Sequence, residues 1–397
     1  MEQLVKNKVI VFGRDNYNTL GLARQLGNQN LDLLFLMPGG ISHCATLSKY
    51  CQNIKFVNDH AEAIDYLLHN NLNEQLKPII IAGADLEAEA LDQHRDELAK
   101  HYIVPGTDEQ GLLTKVDDKT VMVKIAEEVG FTVPKSVMVT AESVIPDDLP
   151  FPCIIKPAKY PANRKKEFKI RKCDNLEQLK SVLNHVRKDT VFIVQEYIPK
   201  NVEILINGCR TWDNEVVVSG TCYRDRGLND ISHGQVKTSI SELIDINLVR
   251  SMLEKIGFHG LFSFEFGVYN GKAYFFETNL RNDGTTYTFF KAGANFPLVW
   301  VCSSAGLDYT KVPCTVQNDV WYMDELYDCL NIRKGVVNRE QWKKDKAEAQ
   351  VFRYFDKDDI DPWIYVNKRR HFLRAQRFFL DKYRPQIVKV LDIFHKK

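Results

Sequence analysis

The chain has 397 residues, 44% of them apolar and 11% aromatic, and a formal net charge of +1. That length exceeds one typical core, so two or three domains are expected, and the near-zero charge removes any global pull toward nucleic acid. No apolar run reaches the ~18 residues that a membrane helix needs, and the start, MEQLVKNKVIVFG, lacks a secretory pattern. The 9 cysteines show neither a C-x-x-C pair nor framework spacing, and read as reduced thiols of a cytoplasmic protein.

Lys8 to Phe12 is a β-branched run closed by Gly13; a helical stretch follows, then a second strand over Leu31–Met37. Strand, glycine turn, helix and strand open a doubly wound α/β domain, in which ligands sit beyond the carboxyl ends of the strands. The turn Gly13-Arg14-Asp15-Asn16 lies at that edge, where free N–H groups of the following helix favour an anion. With the second glycine missing, it is not a dinucleotide fingerprint. Pro78–Ala82 is a third strand and Gly83-Ala84-Asp85 a second such turn, followed by a charged helix over Glu87–Lys100 and a short strand over Tyr102–Pro105. His94-Arg95-Asp96 has the letters of a kinase catalytic loop, without the downstream asparagine or a preceding Gly-rich loop, so the match is accidental.

A composition change near Pro105-Gly106 marks a domain boundary. Thr107 to Gly130 predicts a helix containing Lys119, and FTVPKSVMV the entry to a strand. Pro150-Phe-Pro-Cys-Ile-Ile-Lys156-Pro157 is a buried strand that ends in a lysine, which a phosphate oxygen would neutralise; unpaired, its burial is costly. The next stretch, AKYPANRKKEFKIRK, has no glycine and is strongly basic, with Arg164, Lys165 and Lys166 candidates for closing over a polyphosphate. Asp174-Asn175-Leu-Glu-Gln-Leu is a helix start with an N-cap, Val191–Val194 is a strand, Asn207-Gly208 reads as a turn, and a strand runs around Glu215–Ser219. Cys222 to Lys237 carries Arg224, Arg226, His233 and Lys237; His233 has no second ligand at metal spacing.

His259 to Gly293 is the centre of the reading. Two alternating runs meet at Asn270-Gly271, the strongest short-range hairpin signal, so Glu265 falls on the first strand and Glu277 on the second. Glu277 and Asn279, two apart, leave one face. Two carboxylates and a carboxamide are hard oxygen donors that suit Mg²⁺, with Mn²⁺ as an alternative. Arg281 adds a planar donor fork on that face. Asp283 or Thr285 caps the helix that follows, leaving N–H groups beside Arg281 to receive a carboxylate or acyl phosphate. After Val316 the pattern weakens. Lys368 to Lys397 reads as a basic amphipathic helix; acidic lipid headgroups, an anionic substrate, packing on the body and a homodimer contact all remain open for it.

The segment from Glu265 through Glu277-Thr-Asn279-Leu-Arg281 resembles the metal-binding signature of the ATP-grasp superfamily. Asp118-Lys119 with the following Gly-Phe-Thr-Val-Pro, the strand ending at Lys156, and Gln195-Glu196-Tyr197-Ile198 resemble that family's motifs in the same order. The resemblance covers about residues 107–300. It implies an N-terminal doubly wound domain at 1–106, a two-lobed α+β ATP-grasp fold at 107–315 with a lid at about 134–197, and a C-terminal extension at 316–397. It further implies that Lys119 and Lys156 contact nucleotide phosphates, that Glu196, Tyr197 and Ile198 meet the adenine edge, and that Glu203 meets the ribose. Arg224 or Lys237 then stands near the transferred phosphate. The family's glycine-rich lid loop is absent here. ETNLRNDGTTYTFFKAGANFPLVW is similar to D-aspartate ligase-like and carbamoyl-phosphate-synthase-like members. The implied function is a carboxylate–amine ligase that uses ATP and Mg²⁺ through an acyl phosphate, with a small-molecule carboxylate and amine as partners; a cell-envelope or glycan precursor as substrate would suit the basic tail. A regulatory nucleotide-binding protein and a phosphotransferase are the alternatives.

Overall fold

The computed structural model describes residues 5–70, 74–158, 168, 170–227 and 231–369. The first β-branched run forms β1 (Val9–Phe12), buried along its whole length. With β2 (Leu33–Pro38), β3 (Ile54–Val57) and β4 (Ile79–Ala82) it makes a parallel sheet of order β3-β2-β1-β4. The chain moves from β1 to β2 on one side and returns to place β4 on the other, so the crevice beyond β1 and β4 is a topological switch point. Its two glycine turns touch: a Cβ on Gly83 would lie 3.2 Å from both the Gly13 Cα and the Phe12 carbonyl oxygen.

Three expectations change in this part. The strand over Tyr102–Pro105 reduces to one bridge between Ile79 and Ile103, because Pro105 has no N–H with which to extend a ladder. The charged helix starts at Asp85 and breaks at His94 into Asp85–Gln93 and Arg95–Leu98. The helix expected across 107–130 is two helices, Leu112–Val116 and Lys119–Val129. Asp118 separates them: its carboxylate accepts from Thr120 N at 2.8 Å, capping the second helix and placing Lys119 in its first position.

A second, antiparallel sheet has order β5-β8-β6-β7, from β5 (Ser136–Val139), β6 (Cys153–Pro157), β7 (Arg171–Cys173) and β8 (Phe192–Glu196). With the helix Leu176–Leu183 it encloses its own small core, including Val139, Ile155, Leu179 and Phe192. Residues 159–167, with the basic stretch around Arg164–Lys166, lie outside the described residues.

The third sheet has eight strands. They are β9 (Val202–Arg210), β10 (Val216–Val218), β11 (Thr221–Gly227), β12 (Ile231–Lys237), β13 (Gly260–Tyr269), β14 (Lys272–Asn279), β15 (Val320–Met323) and β16 (Val351–Phe352), in the order β14-β13-β9-β11-β12-β15-β16 with β10 beside β9. Asn207-Gly208, expected as a turn, lies inside β9. A Cβ on Gly208 would meet the Phe262 ring and the Val217 carbonyl at 2.6 Å each, so the glycine serves a close strand approach. One face of this sheet packs Phe262, Phe264, Phe266 and Phe275 against Met122 and Phe131; the other packs Leu205, Cys209, Cys222 and Val236 against Phe289, Phe296 and Trp300. Two strands of the sheet come from beyond residue 316. That segment also grips the helix and loop flanking the N-terminal sheet: Asp359 accepts from Arg24 Nε and Ser48 Oγ, each at 2.8 Å. All 9 cysteines are free. Among the described residues no helix is long and apolar enough to cross a membrane. The tail from residue 370 on lies outside them.

Candidate active site

The β13–β14 hairpin forms as its sequence predicts. Asn270 and Gly271 both have positive φ, 49° and 71°, the backbone that a two-residue hairpin turn requires. The register sets Glu265 opposite Glu277 and Ser263 opposite Asn279. A bulge after Glu265 absorbs one residue, so the phenylalanines near the turn stay in the core while the polar pairs keep their face. Asn279 Nδ2 donates to Ser263 Oγ at 2.9 Å and to Glu265 Oε1 at 3.3 Å.

Basic side chains from three further elements converge on this pair. Arg224, on β11, reaches across β9 to within 3.0 Å of Glu265 Oε2, and its own Nε is buried without a hydrogen-bond partner among the described residues. Lys119 donates to Glu277 Oε2 at 3.2 Å from the start of its helix. Arg281 donates to Asn279 Oδ1 at 2.9 Å and to Asp85 Oδ1 at 2.6 Å, and lies 3.4 Å from Asp283 Oδ2. Lys156, on β6, donates to Gln195 Oε1 at 3.3 Å.

The charges sort by surroundings. Burial, reinforced by Glu277 and Asp283 and opposed by Arg224, pushes Glu265 up to about 7. Burial also works to raise Glu277, but Lys119 and Lys156 hold it below the usual glutamate range. Burial and the neighbouring Lys119 bring Lys156 down to about 8. Arg281 is buried too, yet Asp85 and Asp283 keep its guanidinium charged.

The remaining sequence candidates divide. Glu196 closes β8 and accepts from Lys135 N at 3.3 Å; Tyr197 carries the Lys172 ammonium 4.8 Å above its ring; Ile198 is buried; Glu203 pairs with Lys200. Glu196 and Glu203 thus lie on β8 and β9, and Tyr197 and Ile198 in the connection between them. Lys237 is not brought to the cluster. It pairs with Thr221, its ammonium lies 4.9 Å over the Tyr223 ring, and strand alternation puts it on the face opposite Arg224 and Glu265. The helix expected to offer N–H groups beside Arg281 is Thr286–Lys291, and Asp283 Oδ1 already accepts from Thr285 N at 2.8 Å. The Gly13–Asn16 turn likewise fills itself. Asn16 accepts from Asn18 N and Thr19 N, and Asp15 from the backbone of Ser42, Cys44 and Thr46.

Two acidic residues were not picked out in the sequence as site residues. Asp85 stands in a turn recognised as a ligand edge, but its partner Arg281 lies 196 positions away. Asp117 precedes the Asp118-Lys119 pair with no spacing of its own to mark it. Both line a cleft of about 340 Å³ with Thr114, Lys119, Ala158 and Arg281.

No protein-family model matches the chain. D-aspartate ligase of Enterococcus faecium (strain Aus0004) is 26% identical over 242 residues, so the match covers 55% of this chain and 56% of that protein. The chain thus spans little more than half the length of that relative. Among solved structures, N5-carboxyaminoimidazole synthetase from Staphylococcus aureus complexed with ADP superposes with a TM-score of 0.65 at 15% identity, covering 86% of this chain and 87% of that one. L-amino acid ligase from Bacillus licheniformis gives 0.60 at 13% identity, covering 81% and 80%. The likeness is one of fold: with a parallel N-terminal sheet, a four-stranded antiparallel sheet and an eight-stranded sheet that is antiparallel except at its β15–β16 edge, the chain has the ATP-grasp fold.

Proposed function

We propose that the chain is an ATP-dependent carboxylate–amine ligase: it activates a carboxylate as an acyl phosphate and joins it to an amine, releasing ADP and phosphate. The observation that carries this reading is the paired carboxylates Glu265 and Glu277, held in register on two strands and bordered by Lys119, Arg224 and Arg281. Ligation is also the chemistry named for both the D-aspartate ligase and the L-amino acid ligase. An amino acid is therefore the carboxylate to try first, D-aspartate among them, with a cell-envelope or glycan precursor as acceptor.

The donor set fits a hard divalent cation. Among the described residues no group of three or more His, Cys, Asp or Glu gathers, so the set is two carboxylates and the Asn279 carboxamide, which suits Mg²⁺ completed by phosphate oxygens and water. A Mg²⁺ held by Glu265, Glu277 and Asn279 would supply positive charge against that building on the transferred phosphate. Lys119 and Lys156 approach from two different elements and position the triphosphate. Arg224 and Arg281 face the carboxylate pair from opposite sides, and their fixed charges stabilise the phosphoryl group in flight and the tetrahedral adduct that follows. No nucleophilic side chain is required. Glu196, Tyr197, Ile198 and Glu203, at the end of β8, in the connection and at the start of β9, are assigned to the adenosine.

The test is product analysis with Mg-ATP and a pool of amino acids that includes D-aspartate, beside Glu277→Gln. ADP and phosphate that appear only with an amino acid, and vanish in the variant, support the ligase. AMP and pyrophosphate contradict it.

A further inference from the structure

The cleft beside Arg281 holds a carboxylate that none of the roles above uses. Asp117 closes the short helix Leu112–Val116 and lines this cavity of about 340 Å³, a volume suited to a small molecule. The charged neighbours are all engaged: Asp85 with Arg281, Asp118 with the backbone and hydroxyl of Thr120, Lys119 with Glu277, and Glu89 with Gln93. Among the described residues the Asp117 side chain has no hydrogen-bond or ion-pair partner. It therefore presents two acceptor oxygens to a cleft that borders the carboxylate-activating residues Arg281 and Lys119.

An amine acceptor poses a chemical problem that such a group solves. At neutral pH it arrives as an ammonium, which has no lone pair for attack. We propose that Asp117 receives the ammonium of the acceptor and serves as its general base, an inference that rests on the ligase reading above. The proton passes from the ammonium nitrogen to the Asp117 carboxylate. The freed lone pair then forms the C–N bond at the acyl carbon, the C–O bond to phosphate breaks, and phosphate leaves with that electron pair; the second nitrogen proton goes to solvent. Asp117 is exposed at the mouth of the cleft, and the partial loss of water around it raises its carboxyl to about 6, with Asp85 and Glu277 adding to the rise and Arg281 and Lys119 opposing it. The group is thus ionised at pH 7 yet basic enough to accept a proton.

Hydroxylamine separates the roles, because it is neutral at pH 7 and traps an acyl phosphate as a hydroxamate without a base. Wild type, Asp117→Asn and Asp117→Glu are incubated with Mg-ATP and the amino acid pool. Hydroxylamine is the acceptor in one arm; ammonium, methylammonium and Nα-acetyl-L-lysine are the acceptors in the other. The expected result is an amide-to-hydroxamate rate ratio that falls about 100-fold in Asp117→Asn and recovers in part in Asp117→Glu. The wild-type amide rate with ammonium should also show an acid limb that rises through about pH 6, lost in Asp117→Asn. An unchanged ratio in Asp117→Asn overturns the inference, as does a wild type that makes hydroxamate but no amide with any of the three amines. Absence of hydroxamate in the wild type overturns the ligase reading itself.

Discussion

The β13–β14 hairpin and the seam after Arg281 hold two sides of one site by opposite means. In the hairpin, Glu265, Glu277, Ser263 and Asn279 meet because a two-residue turn fixes the register, and everything involved lies within 17 residues from Ser263 to Asn279. In the seam, contacts come from far along the chain. Asn18 Nδ2 donates to Gly83 O at 2.6 Å and Asn282 O at 3.0 Å, Asn282 N donates to Ala82 O at 3.1 Å, and Asn207 Nδ2 donates to Thr285 Oγ1 at 2.6 Å. The hairpin can keep its carboxylates paired even if the seam loosens, whereas Arg281 and Asp85 meet only when the parallel sheet is docked. On the proposed ligase reading, phosphate chemistry belongs to the local element and substrate placement to the docked one.

The largest expected effect comes from the hairpin. Glu277→Gln keeps the strand and its hydrogen bonds but removes a charge, and amino-acid-dependent ADP formation should fall about 1000-fold with little change in urea midpoint. Asn18→Ala breaks the seam instead. It strands buried carbonyls and the Asn282 amide, so a loss of about 3 kcal/mol in urea unfolding is expected, with the KM for the amino acid rising more than that for ATP. Equal increases in both KM values would erase the division between the two regions.

How much of this the sequence disclosed follows the same line. Asn270-Gly271 was readable as a turn because alternating strands flank it. The identical letters at Asn207-Gly208 were misleading: there glycine makes room for the Phe262 ring and the Val217 carbonyl, from parts of the chain that local reading does not bring together. Lys119 and Lys156 were recognisable from short motifs. The Asp85–Arg281 pair and the open carboxylate of Asp117 depend on how the parallel sheet docks, and no local pattern encodes that. Lys237 illustrates the converse, since the sequence offered it as an alternative to Arg224 and only the register puts it on the far face.

Two smaller effects sharpen the picture. Lys156 is brought to about 8 by burial and Lys119, and phosphate favours its protonated form. ATP affinity should hold steady below pH 7 and weaken as pH rises through about 8, up to about tenfold per unit. Lys156→Met should bind ATP weakly and without that slope, as read by calorimetry across the range. Lys237→Ala, on the opposite face, should change ADP formation by less than about twofold.

Oxygen transfer tests the central claim most directly. With an amino acid labelled with ¹⁸O in its carboxylate, acyl-phosphate chemistry requires one labelled oxygen to move into the phosphate released, visible by phosphorus NMR or mass spectrometry. One ¹⁸O per phosphate, and ADP as the only nucleotide product, is the result predicted. Unlabelled phosphate, or label in AMP, would contradict the account.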